Sequence, residues 1–234
     1  MKNKSPKISI IVPTLNEEPN IALLLTYLQE KSSAENVREI LVVDGGSTDD
    51  TVEIASDFGA IVLHSGKGRA KQMNYGARRA KGEILYFLHA DTFPPEDFDR
   101  FVLKSVGQGY EAGCFQMKFD TTSRFLSFFS WFSKINHKIC RGGDQSLYVT
   151  KRIFKNTGGF NEDYMVYEDT EFIGRLYQTI DFKVLPQRVV TSARKYRQKG
   201  AVKLQFHFGV IHLKNILGAG PEELYEYYQR KIAV

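Results

Sequence analysis

Short apolar segments that alternate with helical stretches constrain the fold of this chain more than any other feature. The segments ISIIV and EILVV are apolar almost throughout, which indicates strands buried on both faces of a parallel sheet. Alternating strands and helices are the order of an α/β fold with helices on both faces of its sheet. In the first half we predict strands at 8–12, 39–43, 60–63 and 83–88, and helices at 20–30, 51–58, 69–80 and 95–106.

The second half of the chain has a less regular pattern. Neither an internal repeat nor a low-complexity linker interrupts it. A chain of 234 residues is long enough for one sizeable core, so we predict one domain with a C-terminal helical extension. Strands are predicted at 112–119, 145–150 and 182–185, and helices at 125–139, 169–177, 202–217 and 221–231.

Composition excludes several classes of protein. The apolar and charged fractions, 42% and 25%, are those of an ordinary globular protein, so disordered and fibrous classes drop out. Cys114 and Cys140 give neither a disulfide framework nor a paired metal spacing. The apolar run before Pro13 is too short for a signal peptide or a membrane span. We therefore expect a cytoplasmic protein, and any membrane contact would be peripheral, on the inner face.

Positive charge is concentrated at the C-terminus. The net charge is +5, and from Arg188 onward the chain has nine Lys/Arg and three Asp/Glu. The segment SARKYRQKGAVK carries five of these basic residues. Such a tail suits a lid over a diphosphate, an anionic lipid surface or nucleic acid, and a solvated helical surface is an equal alternative.

Polar residues follow the predicted strands, where ligands bind in parallel α/β sheets. Asp44 ends the second strand and is followed by GGSTDD, in which Ser47 or Thr48 can cap the next helix. The fourth strand ends in LHADT, which we expect to direct His89 and Asp91 to one side of an extended chain. Mg²⁺ or Mn²⁺ takes one or two protein carboxylates and completes its shell with phosphate oxygens, so Asp91 is a candidate metal ligand.

Several strings together resemble the family-two inverting glycosyltransferases. They span roughly residues 8–180, and the sequence is similar to small bacterial members in which HAD replaces the usual DxD. The resemblance implies the GT-A fold, a Rossmann-like domain with a mostly parallel central sheet flanked by helices. In chain order the strings are IIVPTLNEE, LVVDGGSTDDT, NYGARRAKGEILYFLHADT, GGFNED and YEDTEF.

The resemblance also implies a division of the chain and a donor site. Residues 1–92 would be the nucleotide-binding half, 93–187 the acceptor-side half, and 188–234 the basic helical extension of the same domain. Asp91 would hold a divalent cation, Mn²⁺ or Mg²⁺, and His89 stands where the family often contacts the ribose. The residues implied to bind the nucleotide sugar are Pro13, Thr14, Asn16, Glu17, Asp44, Gly46, Ser47, Arg69, Lys71, His89 and Asp91.

The same resemblance implies roles for acidic residues of the second half. In GGDQSLYVTK, Gly143 and Asp144 would lie on the sugar or acceptor side. Asp169, with Glu168 second, would be the base that takes the proton of an acceptor hydroxyl, since a positioned carboxylate serves as a general base. A single displacement then inverts the anomeric configuration. UDP is slightly preferred over GDP as the donor nucleotide, and the acceptor is left open, with a lipid-like molecule among the alternatives.

Two features leave alternatives open. The aromatic stripe in FLSFFSWFSKINHKI suits core packing, and an acceptor pocket or a lipid-facing surface would show the same pattern. The main rival to an enzyme is a non-catalytic protein that binds nucleotide, nucleic acid or membrane through its basic tail; the preferred interpretation has no nucleic acid partner. A dinucleotide-dependent oxidoreductase is excluded because the first loop, PTLNEEPN, lacks GxGxxG.

Overall fold

A single eight-stranded sheet organises the protein. The structure is a computed structural model, and it describes residues 5–233. The strands lie in the order β3-β2-β1-β4-β7-β6-β8-β5. They are β1 Ile8–Thr14, β2 Val37–Asp44, β3 Ile61–His64, β4 Ile84–Phe87, β5 Thr92–Phe93, β6 Ala112–Phe119, β7 Leu147–Thr150 and β8 Phe182–Thr191.

Ten α-helices connect these strands and follow them within residues 5–233. Short 3₁₀ turns occur at Phe132–Lys134, Lys138–Cys140 and Gly143–Gln145, and a π-helical turn at Gln229–Ala233. The helices are α1 Glu18–Lys31, α2 Thr51–Asp57, α3 Arg69–Arg79, α4 Phe98–Gly107, α5 Arg124–Trp131, α6 Lys151–Asn156, α7 Glu168–Thr179, α8 Arg194–Lys199, α9 Ala201–Ile216 and α10 Pro221–Tyr228.

The first half is a parallel sheet covered by helices on both faces, as predicted. Strand β1 pairs in parallel with β2 and β4, and every residue of β1 is buried. Ile11 and Val43 pack with α3, α6 and α7 on one face, and Ile10 and Val42 pack with α1, α2 and α4 on the other. Each central strand therefore contributes to two helical layers, which explains why its sequence is apolar without alternation.

Helix α3 lies very close to the sheet because of a glycine. A Cβ atom on Gly76 would be 2.7 Å from Cγ2 of Ile11 and 2.9 Å from Cγ2 of Val43. These β-branched side chains have few alternative rotamers, so they leave no room for a larger residue. The close contact fixes the position of α3, whose first turn contains Arg69 and Lys71.

The aromatic helix is shorter than the predicted 125–139. Helix α5 ends at Trp131 and is followed by two 3₁₀ turns. The buried guanidinium of Arg141 donates to the carbonyls of Ser133 and Ile135, which satisfies acceptors that a continuing helix would have used. The stripe is not mainly core either, because within α5 only Leu126 is buried and Trp131 is half-exposed.

Strand β8 is longer than the predicted 182–185. It continues to Thr191 and pairs in parallel with β6 on both sides of a bulge. The register shifts where Phe115 faces Leu185 and Gln116 faces Arg188, so Pro186 and Gln187 form the bulge, and Pro186 has no backbone N–H to donate. The position that separates 93–187 from 188–234 lies inside this strand. Elements β5, α6 and α8 were not predicted.

The C-terminal extension packs on the loop that precedes α7. A cluster of Leu204, Ile211, Leu224 and Ile232 joins α9, α10 and the last turn, and Tyr167 packs against it. Among residues 5–233, no helix is both long enough and apolar enough to cross a bilayer.

Candidate active site

The carboxyl ends of three parallel strands meet at one edge of the sheet. The ladders place Thr14 opposite Asp44, and Asp44 opposite His64. The buried amide of Gln72, on α3, donates to the carbonyl of Thr14 at 2.7 Å and to that of Val43 at 2.8 Å. This bridge fixes the strand ends relative to α3, and it was not predicted because no sequence motif marks a buried glutamine.

The Asp44 carboxylate organises the loop that follows β2. One oxygen accepts from the Gly46 amide at 2.8 Å, and the other accepts from the Ser47 hydroxyl at 2.5 Å. Gly46 has φ +98°, a conformation that favours glycine. Ser47 does not cap α2, whose N-cap residue is Asp50. Asp44 therefore has a structural role in this turn, in addition to the ligand contact that the resemblance implies.

The loop after β1 interlocks with the loop after β2. The Asn16 amide donates to the Ser47 hydroxyl, and the Asn16 side-chain oxygen accepts from the Thr48 amide, both at 2.9 Å. Asn16 has φ +54°, which asparagine tolerates better than most residues. Glu17 is the N-cap residue of α1, and its backbone amide donates to the Thr51 hydroxyl. Pro13 is buried near the end of β1. The predicted nucleotide-binding residues of these two loops are thus held in place by hydrogen bonds between the loops.

His89 and Asp91 lie in a turn and not in an extended strand. Strand β4 ends at Phe87, and the Thr92 amide donates to the His89 carbonyl at 3.1 Å. The prediction of an extended chain at His89 and Asp91 is therefore wrong. The turn nevertheless places the His89 ring 3.6 Å from Asp169 and 3.9 Å from Asp144, measured between nitrogen and oxygen.

The first turn of α7 carries the acidic pair. Glu168 and Asp169 are buried, and Arg69 reaches over from α3 with its guanidinium nitrogen 3.6 Å from Glu168 Oε1. This oxygen has no hydrogen-bond partner in the structure. A helix N-terminus favours negative charge, but burial without full hydrogen bonding opposes it.

The proton affinities of this cluster are unusual. Burial raises the pKa of Glu168 to about 7, and the adjacent Asp169 carboxylate adds to the rise, while Arg69 and His89 oppose it. Burial by itself would lower the pKa of His89, but the Asp169 and Asp144 carboxylates outweigh it and leave that pKa raised. The two carboxylates therefore favour the imidazolium form of His89, which persists to higher pH than in a free histidine.

Asp144 connects the acidic pair with Asp91. Gly143 and Asp144 belong to the 3₁₀ turn Gly143–Gln145, and the Asp144 side chain is half-exposed. Partial desolvation raises the pKa of Asp144, its neighbour Asp91 adds to the rise, and His89, Arg69 and Lys195 oppose it. The structure thus brings His89 within 3.9 Å of Asp144 and places Asp91 near enough to repel the Asp144 carboxylate.

A surface pocket of about 470 Å³ extends from the Asp44 edge along α3. His64 lines this pocket and also neighbours Asp44, since its Nδ1 lies 3.8 Å from the Asp44 carboxylate. Lys71 lines this pocket, so the structure separates it from Arg69, which faces the acidic pair. The full lining is His64, Ser65, Gly66, Lys71, Tyr75, Arg78 and Glu162.

Helix α8 brings basic residues to the edge of the site. The Arg194 guanidinium lies 3.6 Å from Glu17, and Lys195 acts electrostatically on Asp144. The sequence predicted a basic segment here with a lid among its alternatives, but it did not predict these two contacts. Their signal was the local density of Lys and Arg before a glycine.

The chain matches a family of transferases over most of its length. The sequence model of glycosyl transferase family 2 matches residues 9–182, which include the interlocked loops, the His89–Asp91 turn and the acidic pair. The chain belongs to glycosyl transferase family 2. Helices α8, α9 and α10 lie beyond the matched segment of this family 2 protein.

Relatives of this family 2 chain are longer than the part they share with it. An undecaprenyl-phosphate 4-deoxy-4-formamido-L-arabinose transferase of Pseudomonas savastanoi pv. phaseolicola is 34% identical over 114 residues, 44% of this chain and 34% of the relative. The chain spans between about a third and a half of the length of such curated relatives.

Solved structures share the fold. The mannosyltransferase PcManGT of Pyrobaculum calidifontis, in complex with GDP-Man and Mn²⁺, aligns with a TM-score of 0.68 and 20% identity over 97% of this chain and 70% of its own. TarS residues 1–349 of S. aureus, in complex with UDP, aligns with a TM-score of 0.67 and 20% identity over 80% of this chain and 60% of its own. At this identity the family 2 chain shares with them the GT-A architecture that the sequence predicted.

Proposed function

We propose that this chain transfers a sugar from a nucleoside diphosphate sugar to an acceptor hydroxyl, with inversion. The observation that carries the proposal is the buried acidic pair of α7, which faces His89 and Arg69 at the edge where the parallel strands end. Membership of glycosyl transferase family 2 supports the reaction class. UDP is our slightly preferred donor nucleotide; TarS is described with UDP and PcManGT with GDP-Man.

Asp169 is proposed as the general base. Its carboxylate is nearly buried and lies 3.6 Å from His89 Nε2, which would hold its orientation. A base positioned within hydrogen-bond reach of the acceptor contributes about 10²–10⁴-fold to the rate. Glu168 is less suited, because its side chain is 2% exposed and its Oε1 faces Arg69 at 3.6 Å. We assign it the task of fixing Arg69, a donor for the diphosphate.

A divalent cation fits the residues that are present. Within residues 5–233 no three His, Cys, Asp or Glu side chains make a complete metal site. Mg²⁺ and Mn²⁺ do not need one, since they accept one or two carboxylates and take further oxygens from phosphates. Asp91 is the proposed ligand, and its repulsion with Asp144 is the kind that a cation relieves. When bound, the cation would neutralise charge on the leaving diphosphate.

The interlocked loops and α3 are proposed to hold the nucleotide. Asn16, Glu17 and Ser47 are fixed by hydrogen bonds between the loops, so little ordering is needed when a nucleoside binds. The pocket lined by Lys71 is open beside Asp44 and offers cationic and aromatic side chains. Gly143 and Asp144 remain proposed on the sugar or acceptor side.

The acceptor is proposed to be lipid-linked. One relative is named for undecaprenyl phosphate, and α5 exposes Phe128 and Trp131 to solvent. Large exposed aromatic side chains are typical of surfaces that meet lipid or an apolar ligand.

Nucleotide binding is the first test. We would measure the thermal stability of the protein with UDP, GDP, CDP or TDP, each with and without Mn²⁺. A ligand at a hundredfold excess over its Kd raises stability by about 2.7 kcal/mol, which such a scan resolves. We expect a metal-dependent shift with one diphosphate that is lost in Asp91→Asn. Asp163→Asn makes the same change at an exposed carboxylate and is the matched control.

Catalysis is tested with the same donor. Asp169→Asn should keep the nucleotide shift but lose roughly 10²–10⁴-fold in sugar transfer or donor hydrolysis. If no diphosphate shifts the wild type, the proposed transfer reaction is wrong and binding through the basic tail becomes the better explanation. If Asp169→Asn keeps full transfer activity, the assignment of Asp169 as the base is wrong.

A further inference from the structure

Helix α9 is apolar on two opposite faces. Its inner face packs Leu204 and Ile211 into the C-terminal cluster. At roughly 100° per residue, a second apolar set falls within one sector of the helix on the side away from them. This second set is the outer face of α9, and its members are between 54% and 76% exposed; they are Val202, Phe206, Leu213 and Ile216, with Leu217 directly after the helix.

No described element covers this outer face. Helix α10, the last turn and the loop around Tyr167 all join the inner cluster. A helix that is apolar on opposite faces is normally buried. Single exposed apolar residues are common on protein surfaces, but a continuous exposed stripe indicates a contact surface. The stripe contains no charged residue over four turns, so its composition is that of a contact surface.

The charges around the outer face indicate what covers it. Between Arg194 and Ala233 the chain has eight Lys/Arg and three Asp/Glu. Lys203 is exposed beside the stripe, next to Val202 and one turn before Phe206. Arg230 and Lys231 are exposed at the C-terminal end of the extension. A second copy of this chain would bring the same positive excess to the interface, which is repulsive, whereas an anionic surface is complementary.

We infer that the outer face of α9 docks on an anionic lipid bilayer. The helix would lie in the plane of the headgroups, with Phe206 and Leu213 in the acyl boundary and Lys203 extended into the phosphate layer. Anionic headgroups attract each nearby Lys or Arg, so the charge of Lys203 and the apolar outer face would favour the same contact.

Docking would also position the site. Arg194, at the start of α8, contacts Glu17, and His212 on α9 contacts Tyr167 next to the acidic pair. A helix held at the membrane therefore holds the site near lipid-linked molecules. The inference does not depend on the proposed transfer reaction, because membrane binding is measured without catalysis.

The test is sedimentation of the full chain with vesicles. We compare phosphatidylcholine alone with phosphatidylcholine containing about 30% phosphatidylglycerol, the anionic lipid. We expect binding to the anionic vesicles, and binding weaker by roughly tenfold or more for Phe206→Ser/Leu213→Ser, since two side chains lose their apolar burial. Leu23→Ser, at a residue 64% exposed on α1, should bind like the wild type. Circular dichroism checks that the variants fold.

A fluorescent reporter locates the contact. Trp131 is the single tryptophan, so Phe206→Trp in a Trp131→Phe background reports on α9 alone. Its emission should shift to the blue with anionic vesicles, and that of Leu23→Trp in the same background should not. The inference is overturned if the wild type ignores anionic vesicles or if the double serine variant binds unchanged. It is equally overturned if the wild type forms a dimer that this variant abolishes, since a second copy would then cover the face.

Discussion

The acidic pair predicts that one conservative substitution makes the protein more stable at neutral pH. Glu168 is 2% exposed, and one of its oxygens has no hydrogen-bond partner. Its pKa is raised from 4.5 to about 7 in the folded state. Glu168→Gln keeps the shape of the side chain and removes the titration. The partner Arg69 is exposed to solvent and can be hydrated without the carboxylate.

The sign and size follow from linkage. Between pH 4.5 and about 7 the folded state binds the Glu168 proton more tightly than the unfolded state does. The stabilisation from this group is therefore complete below the unfolded pKa and disappears as the pH rises through the folded pKa. At about 1.4 kcal/mol for each pKa unit, the wild type should lose about 3 kcal/mol relative to Glu168→Gln across this window.

Urea unfolding at several pH values measures this difference. We would determine the free energy of unfolding of wild type and Glu168→Gln at pH values from about 5 to about 8. Titrations of groups that do not interact with Glu168 cancel in the difference between the two proteins. Glu226→Gln, at an exposed glutamate of α10, is the control and should show no such trend. If the wild type and Glu168→Gln lose or gain stability in parallel, the buried carboxyl does not have the raised pKa that the argument requires.

Three further substitutions test how the site is supported. Gly76→Ala should lower the free energy of unfolding by about 1–3 kcal/mol, since its Cβ would overlap the sheet, whereas Gly174→Ala on α7 has open space and should not. Gln72→Leu should cost roughly 1–3 kcal/mol, because two buried carbonyls each lose one donor; urea unfolding checks both substitutions. Tyr167→Phe removes the hydrogen bond to His212 and should cost about 1 kcal/mol in stability, with a larger relative loss of transfer activity than of nucleotide binding.

Elements whose pattern reflects local physics were predicted well. Strand β1 is apolar because helices cover both of its faces, and that requirement is visible in ISIIV without any knowledge of its partners. Strand β6 has the predicted bounds, Ala112–Phe119. Helix α9, predicted at 202–217, runs from Ala201 to Ile216, since a glycine stands at its start and another follows its end.

The errors arose where a distant residue decides local structure. Helix α5 stops because Arg141, ten residues after Trp131, folds back onto carbonyl groups, and periodicity cannot show this. Strand β8 passes Pro186 because a bulge leaves that residue out of the ladder with β6. In the site, the strand-end rule identified Asp44 and the His89 turn, but contacts between separate elements, such as Arg194 with Glu17, depend on the tertiary fold.

The C-terminal extension contacts the residue that directly precedes the acidic pair of α7. Tyr167 has φ +73° at the start of α7, directly before Glu168. Burial lowers the pKa of His212, so its neutral Nδ1 can accept from the Tyr167 hydroxyl 2.9 Å away. His207 is likewise bound to a tyrosine, Tyr227, at 2.8 Å, so both histidines join α9 to the protein through hydrogen bonds. Helix α9 lies beyond residues 9–182, the segment that the family model matches. Part of the support of the acidic pair therefore comes from residues outside the matched segment. A surface contact on the outer face of α9 would therefore act on the same helix whose His212 holds the Tyr167 hydroxyl.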